Sequence, residues 1–214
     1  MSKKIRAWHF VDSHLRLRYG DGRRVGAGRT YLASEPIKLC VWGLHASVNP
    51  YHALTYAPGP FVCRVECSGK IIHGHDKLVC TSRKVLWMAD ASNVIGHFTR
   101  LCALDVIHLW SPHPETIKFL RTGKEEFRQA ARADASCSAK NAASATRYAS
   151  SWGGGSINNA KCVADLASRA KATEEAQKNL GTVEAYDVSF ITSYKRYGRR
   201  LTRLLRELGR KSRG

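Results

Sequence analysis

Three groups of residues have types and spacings that could do chemistry. The first is a set of metal-type side chains. Cys63 and Cys67 lie four residues apart, His73-Gly74-His75 follows, and Cys80 is near. A structural zinc site needs four such ligands converging on one ion. On an extended strand, however, Cys63 and Cys67 share a face yet sit about 13 Å apart, too far to chelate together without a bend. Small buried hydrophobes are the simpler role for these thiols, so no metal and no cofactor is expected.

The second group is a candidate nucleophile. Cys40, with His45 or His52 and Asp76, supplies the residue types of a thiol–imidazole–carboxylate set. The surrounding Leu39-Cys40-Val41-Trp42 run predicts a buried strand and an inert thiol instead. His45 itself follows Gly43 at a strand end, just before Asn49-Pro50, a helix-start signal. At that place it could bind a phosphate or nucleotide beside a helix N-terminus. It could equally satisfy local carbonyls and order the turn.

The third group is at the C-terminus. Phe190, Tyr194, Tyr197, Leu201, Leu204, Leu205 and Leu208 follow helical spacing. Lys195, Arg196, Arg199, Arg200, Arg203, Arg206, Arg210 and Lys211 fill the other faces. Arginine suits phosphate through bidentate contact. A nucleic-acid-binding helix is the expectation, with an anionic membrane or an acidic partner as alternatives.

Composition frames these groups. The 214 residues carry a formal net charge of +18. Self-repulsion of that size favours a polyanionic partner. The charge is uneven: residues 1–90 hold 14 Lys/Arg against 6 Asp/Glu, and residues 182–214 hold nine against three. All nine His precede residue 114, whereas fifteen Ala lie between Ala130 and Ala176. That shift marks two regions of different architecture. Seven Cys without dense spacing fit a reducing compartment. Met1–Val11 has a basic start but no apolar signal-peptide core, and no stretch approaches 18 apolar residues. A cytoplasmic location is expected.

The elements that must position these residues read as α+β, a small mixed β domain followed by an all-helical C-terminal region. Strands are predicted over 4–11, Leu15–Tyr19, Ile37–Leu44, Phe61–Cys67, Lys70–His73, Lys77–Cys80 and Lys84–Met88, with Ser68-Gly69 as a turn. A short helix runs from Asn49-Pro50 to about Tyr56. Helical spacing then extends from Ser92 to Leu109, and Pro114–Arg121 forms a short helix stopped at Thr122-Gly123. Lys124–Ser151, Asn159–Leu180 and Thr182–Leu208 are the remaining helices, with Gly153-Gly154-Gly155 as a flexible joint. The expected divisions are 1–90, 91–152 and 156–214.

One stretch is distinctive: Cys40-x-x-Gly43-Leu44-His45-Ala46-Ser47, then Ala53-Leu54-x-Tyr56-Ala57-Pro58-Gly59. With Asp76-Lys77-Leu78-Val79-Cys80 and Cys102-Ala103-Leu104-Asp105-Val106, it resembles a family of uncharacterised bacteriophage and prophage proteins that join such a domain to an Ala-rich helical tail. The resemblance covers about residues 5–135. It implies a phage origin and a host-cytoplasmic site of action, and brings no activity with it. A role in host takeover or counter-defence would fit. The chain departs from that family in Thr182–Gly214, a basic amphipathic helix in place of a monotonous tail.

The Gly-Leu-His-Ala-Ser segment, the short helix and the Val62–Val65 strand also look like the core of ADP-ribosyltransferases. That likeness implies a nicotinamide-nucleotide pocket using His9 or His45 with Tyr56. It also implies a late Glu, which Val85–Ala89 lacks; Asp76 and Asp90 are the nearby acids. The leading expectation is a phage-encoded basic protein that engages nucleic acid, an acidic host protein or a host nucleoprotein complex. The rivals are an ADP-ribosyltransferase-like enzyme and a DNA-associated virion or assembly protein.

Overall fold

A computed structural model describes residues 4–18, 21–136, 141–151, 158–178 and 183–213. The architecture is α+β: strands in the N-terminal part, helices after residue 91. The chain divides into two compact units. One holds residues 1–92 together with 202–214, the other residues 93–201. The segment expected over 156–214 is therefore not a unit of its own, because its last helix is shared out between the two. The Gly153-Gly154-Gly155 joint lies outside the described residues.

The first unit is built on a five-stranded antiparallel sheet. Its strands are β1 (Ile5–Val11), β2 (Thr30–Leu32), β3 (Leu44–Ala46), β4 (Phe61–His73) and β5 (Leu78–Asp90), in the order β1-β4-β5-β2 with β3 also paired to β5. β4 and β5 form one long hairpin. The turn predicted at Ser68-Gly69 is a bulge inside β4, and the hairpin closes at Gly74, whose N–H donates to the Lys77 carbonyl at 2.8 Å. Gly69 has φ +75°, and a Cβ there would collide with Thr81 Oγ1. Bulges and turns draw on the same left-handed glycine, so sequence alone reads one as the other.

Two other predicted strands are absent. Over Leu15–Tyr19 there is a single bridge, Arg16 to Arg24, with Leu15 at φ +54°; Tyr19 lies outside the described residues. Leu17 and Val25 are buried all the same, so the alternation there records a loop that plugs the core. Over Ile37–Leu44 the chain makes a tight turn, with Lys38 and Trp42 bonded backbone to backbone at 2.9 Å in both directions. Pairing begins only at Leu44.

Each sheet face carries its own core. On one, Leu17, Val25, Tyr31, Leu44, Ala46, Cys63, Val65, Cys67 and Cys80 cluster. On the other, Trp8 and Trp87 meet edge to face at 5.8 Å between ring centres, and the Arg64 guanidinium lies over Trp8 at 4.6 Å. Here α1 (Pro50–Leu54) is short, capped by the Asn49 side chain accepting from Tyr51 N–H at 2.9 Å.

Helix α2 (Ser92–Leu104) stops five residues before the predicted end, and a single 3-10 turn covers Ile107–Leu109. α3 (Pro114–Thr122) ends on Gly123 in the left-handed conformation, as the Thr-Gly pair predicts. α4 (Arg128–Ser136), α5 (Asn141–Ser150) and α6 (Asn158–Lys178) bury alanines, among them Ala131, Ala135, Ala142, Ala145, Ala149, Ala164 and Ala167. Alanine loses no side-chain entropy in a helix and permits close approach. α7 (Val183–Lys211) is the longest helix.

The C-terminal turns of α7 belong to the first unit, and Gly209 shows why they fit there. A Cβ at Gly209 would overlap the Trp87 ring. In an unconstrained helix Gly to Ala gains about 1 kcal/mol. We expect the opposite sign here: Gly209→Ala should destabilise by about 1–3 kcal/mol through overpacking. Urea unfolding followed by Trp fluorescence measures it.

Candidate functional site

The elements of the first unit enclose a cavity of about 290 Å³. His9 comes from β1, His45 from β3, Tyr56 from the segment after α1 and Arg83 from the middle of β5. Lys77 enters from the hairpin turn and Trp42 from the tight turn before β3. The three residues His9, His45 and Tyr56, far apart in sequence, thus line one cavity. Arg16, Arg18 and Asp21 reach it from the loop after β1.

His45 is fixed by its surroundings. Its Nε2 accepts the Cys40 backbone N–H at 3.0 Å, so the proton sits on Nδ1, which donates to the Gly43 carbonyl at 3.1 Å. The ring therefore orders the turn, the second of the two roles open to it. The anion role fails for a further reason: α1 has only five residues, and Asn49 already occupies one of its first N–H groups. Burial holds the His45 imidazole below its ordinary 6.5, opposed by the Gly43 bond and reinforced by Lys77 and Arg83. His9 is half-buried and lines the cavity. Burial pushes it well below 6.5, and the Arg83 and His45 neighbours push the same way.

Cys40 is not the buried strand thiol expected. It is exposed, at φ +64°, because the chain turns there instead of pairing. No thiol–imidazole–carboxylate set forms around it. His45 Nε2 is held by the backbone of Cys40, and Asp76 accepts the Tyr56 hydroxyl at 2.5 Å. Lys77 lies over the Tyr56 ring at 4.0 Å. Burial weakens its charge, yet hydrogen bonds to the Cys40 thiol and Tyr56 outweigh that and raise its pKa.

Arg83 is the residue that sequence reasoning missed. It is 2% exposed, donates from Nη1 to the His45 carbonyl at 2.5 Å, and leaves Nε without a partner among the described residues. Around it stand the Cys63, Cys67 and Cys80 thiols and, among acids, Asp21. Burial drives the Cys63 thiol up to about 12, so it stays protonated. Asp21 cannot neutralise Arg83 directly. Its two oxygens are taken by Arg23 Nε and Nη2, both at 2.6 Å. Strand alternation could have found Arg83, but only with the register that places it opposite Cys67 and Tyr31.

The metal-type residues do not converge: among the described residues no group of three or more His, Cys, Asp or Glu could hold an ion. Cys67 and Cys80 instead hydrogen-bond to each other, and Cys80 donates to the Leu44 carbonyl at 3.3 Å.

The basic residues of α7 separate into two kinds. Arg200 is half-buried and paired with Asp105 at 3.0 Å, so it is a structural cation of the second unit. Arg196 is exposed and only loosely set against the same carboxylate, at 3.7 Å. Lys195, Arg199, Arg203, Arg206, Arg210, Lys211 and Arg213 are exposed. Arg199, Arg203, Arg206, Arg210 and Arg213 recur at four- and three-residue steps, which places them in one ridge along the helix. Among the described residues no carboxylate pairs with Arg199, Arg203, Arg206 or Arg210. On the sheet, Arg64 is held below its ordinary pKa by burial and then by Arg206 and Arg6, so like charges gather there too.

Residues 5–97 match a family described as Domain of unknown function (DUF7666). No curated protein and no solved structure matches the chain. No helix among the described residues is long and apolar enough to cross a membrane.

The two depressed histidines set a pH dependence. In the unfolded chain they bind protons near 6.5; folded, they bind them only at lower pH. Below about pH 7 the unfolded state therefore holds more protons, and stability falls as pH falls. His97, lowered by burial and by Arg100 and Arg200, acts in the same sense. Urea midpoints should drop between pH 7.5 and 5.5, above the carboxylate range. His9→Gln should remove the largest single share of that drop; an unchanged drop would show that His9 is not held neutral.

Proposed function

We infer that this is a basic binding protein that engages nucleic acid, alone or within a host nucleoprotein complex, along the arginine ridge of α7. The observation that carries the reading is the ridge itself: regularly spaced, exposed arginines without carboxylate partners among the described residues. Like charges at helical i,i+4 spacing repel one another, so the arrangement costs stability unless a polyanion lies along it. From Arg199 to Arg213 the ridge spans about 21 Å at 1.5 Å per residue. Duplex DNA presents about one phosphate charge per 1.7 Å of axis over such a length. Arginine in place of lysine at these positions favours the forked contact that phosphate accepts. An enzyme of the ADP-ribosyltransferase kind would need an available carboxylate at the cavity, and Asp21 is held by Arg23. Binding is therefore better supported than catalysis. The likeness to phage proteins makes host takeover or counter-defence the setting in which such binding would act.

The test uses Arg199, Arg203, Arg206 and Arg210, leaving Arg200 in place because it is paired inside. Each phosphate contact contributes about 0.9 to the log–log salt slope on duplex DNA. Changing all four to Ala should lower the slope by about three and weaken binding alike on unrelated sequences. Fluorescence anisotropy at several salt concentrations reads this out. Unchanged affinity and slope on both DNA and RNA would remove the helix as a nucleic-acid element, and leave an acidic protein as the partner its charge requires.

A further inference from the structure

The ridge leaves the cavity of the first unit unexplained. That cavity contains an almost fully buried guanidinium whose Nε makes no hydrogen bond among the described residues. A buried charge without a counter-ion is costly, and in proteins it is paired or ligated. The thiols around Arg83 do not supply a negative charge. Cys63 and Cys67 are pushed up and stay protonated, and Cys80, although its bond from Cys67 and the Arg83 charge lower it, places its proton on the Leu44 carbonyl at 3.3 Å. Asp21 is committed to Arg23. Lys77, Arg16 and Arg18 line the same cavity and add positive charge. The missing partner is therefore an anion, set against the positive lining that Arg83 shares with Lys77, Arg16 and Arg18.

Two further features define the rest of the ligand. Trp42 and Tyr56 line the cavity yet are 44% and 43% exposed, which sets both aromatic side chains at its opening, with Lys77 over one face of the Tyr56 ring. Trp42 is held by its indole N–H donating to the Ser34 carbonyl at 2.9 Å, and Tyr56 by its bond to Asp76. These are rigid planar surfaces on which another planar ring can stack. The volume, about 290 Å³, lies at the small end of ligand pockets and admits a mononucleotide, not a polymer. His9, kept neutral, can both donate and accept a hydrogen bond.

We propose that this cavity is a binding site for a nucleoside monophosphate, its phosphate bonded to Arg83 and its base against Trp42 and Tyr56. The site is separate from the α7 ridge and acts on a small ligand instead of a polymer.

Calorimetric titration of the full chain with AMP, GMP, CMP and UMP tests it, with the matching nucleosides and inorganic phosphate as separate arms. At least one monophosphate should bind one-to-one with a Kd below about 1 mM. Its nucleoside and free phosphate should each bind at least about tenfold more weakly. Arg83→Lys keeps the charge but loses the fork, and should weaken that monophosphate by about tenfold or more. Because Arg83 is buried, Lys77→Ala and Trp42→Ala at the opening provide the same test where the core is untouched, and each should weaken binding severalfold. The fourfold ridge variant should bind the monophosphate as wild type does. The proposal is overturned if no monophosphate binds, or if free phosphate binds equally well. It is also overturned if binding survives the three cavity changes but is lost with the ridge.

Discussion

The bond from Arg83 to the His45 carbonyl holds together the parts of the first unit that matter most. Arg83 sits in the middle of β5, and His45 in the three-residue strand β3, too short to define its own position. The guanidinium fixes the backbone of His45. The His45 ring then fixes the Cys40 turn from both nitrogens, and that turn presents Trp42. Two backbone bonds between Trp8 and Ser47, at 2.7 and 3.0 Å, tie the far end of β3 to β1 beside His9. Without the guanidinium the β3 segment keeps its short pairing to β5, the Ser47 bonds to Trp8 and the Cys80 bond to the Leu44 carbonyl. A buried arginine is a costly support, because its desolvation must be offset by hydrogen bonds. Its survival without a carboxylate is what makes the cavity more than a packing defect.

Charge in this protein is sorted by burial. Arg23 and Arg200 are spent on Asp21 and Asp105, where they hold loops and helices in place. Arg64 leans on Trp8, so its charge is offset by an aromatic face. Of the rest, a row of exposed arginines lies along α7, several cations line one cavity, and others, among them Arg24, Arg29, Lys84 and Arg121, are exposed elsewhere. A merely soluble surface would intersperse both signs.

The sequence made the outline legible and the site only in part. Apolar alternation and Gly/Pro punctuation located β1, the β4–β5 hairpin, the Asn49-Pro50 start of α1 and the Gly123 stop of α3, because those signals are local. Leu15–Tyr19 and Ile37–Leu44 failed for the opposite reason. Their alternation is real, but burial there comes from long-range packing without strand pairing, and period alone cannot distinguish the two. Cys40 was misjudged with them, since a residue at the tip of a turn takes its exposure from the turn. His9, His45 and Tyr56 entered through resemblance and chain position, and they line one cavity. Arg83 did not enter, because a charged residue on a strand is ordinarily read as facing water.

Arg200 and Arg199 show the limit of reading charge from sequence. They are neighbours on one helix, identical in type, and both sit in a basic run. A helix turns by about 100° per residue, so one step carries the second guanidinium from solvent to the Asp105 carboxylate. One is then part of what holds the second unit, and the other is free to meet a partner. Counting both toward an interface overstates the surface charge and confuses loss of fold with loss of binding. The same distinction applies to Arg83, which is buried in the first unit, lacks a carboxylate of its own and still lines the cavity. On the binding reading proposed above, the cations that matter are those the fold leaves unpaired, and hydrogen-bond and ion-pair geometry separates these from the rest.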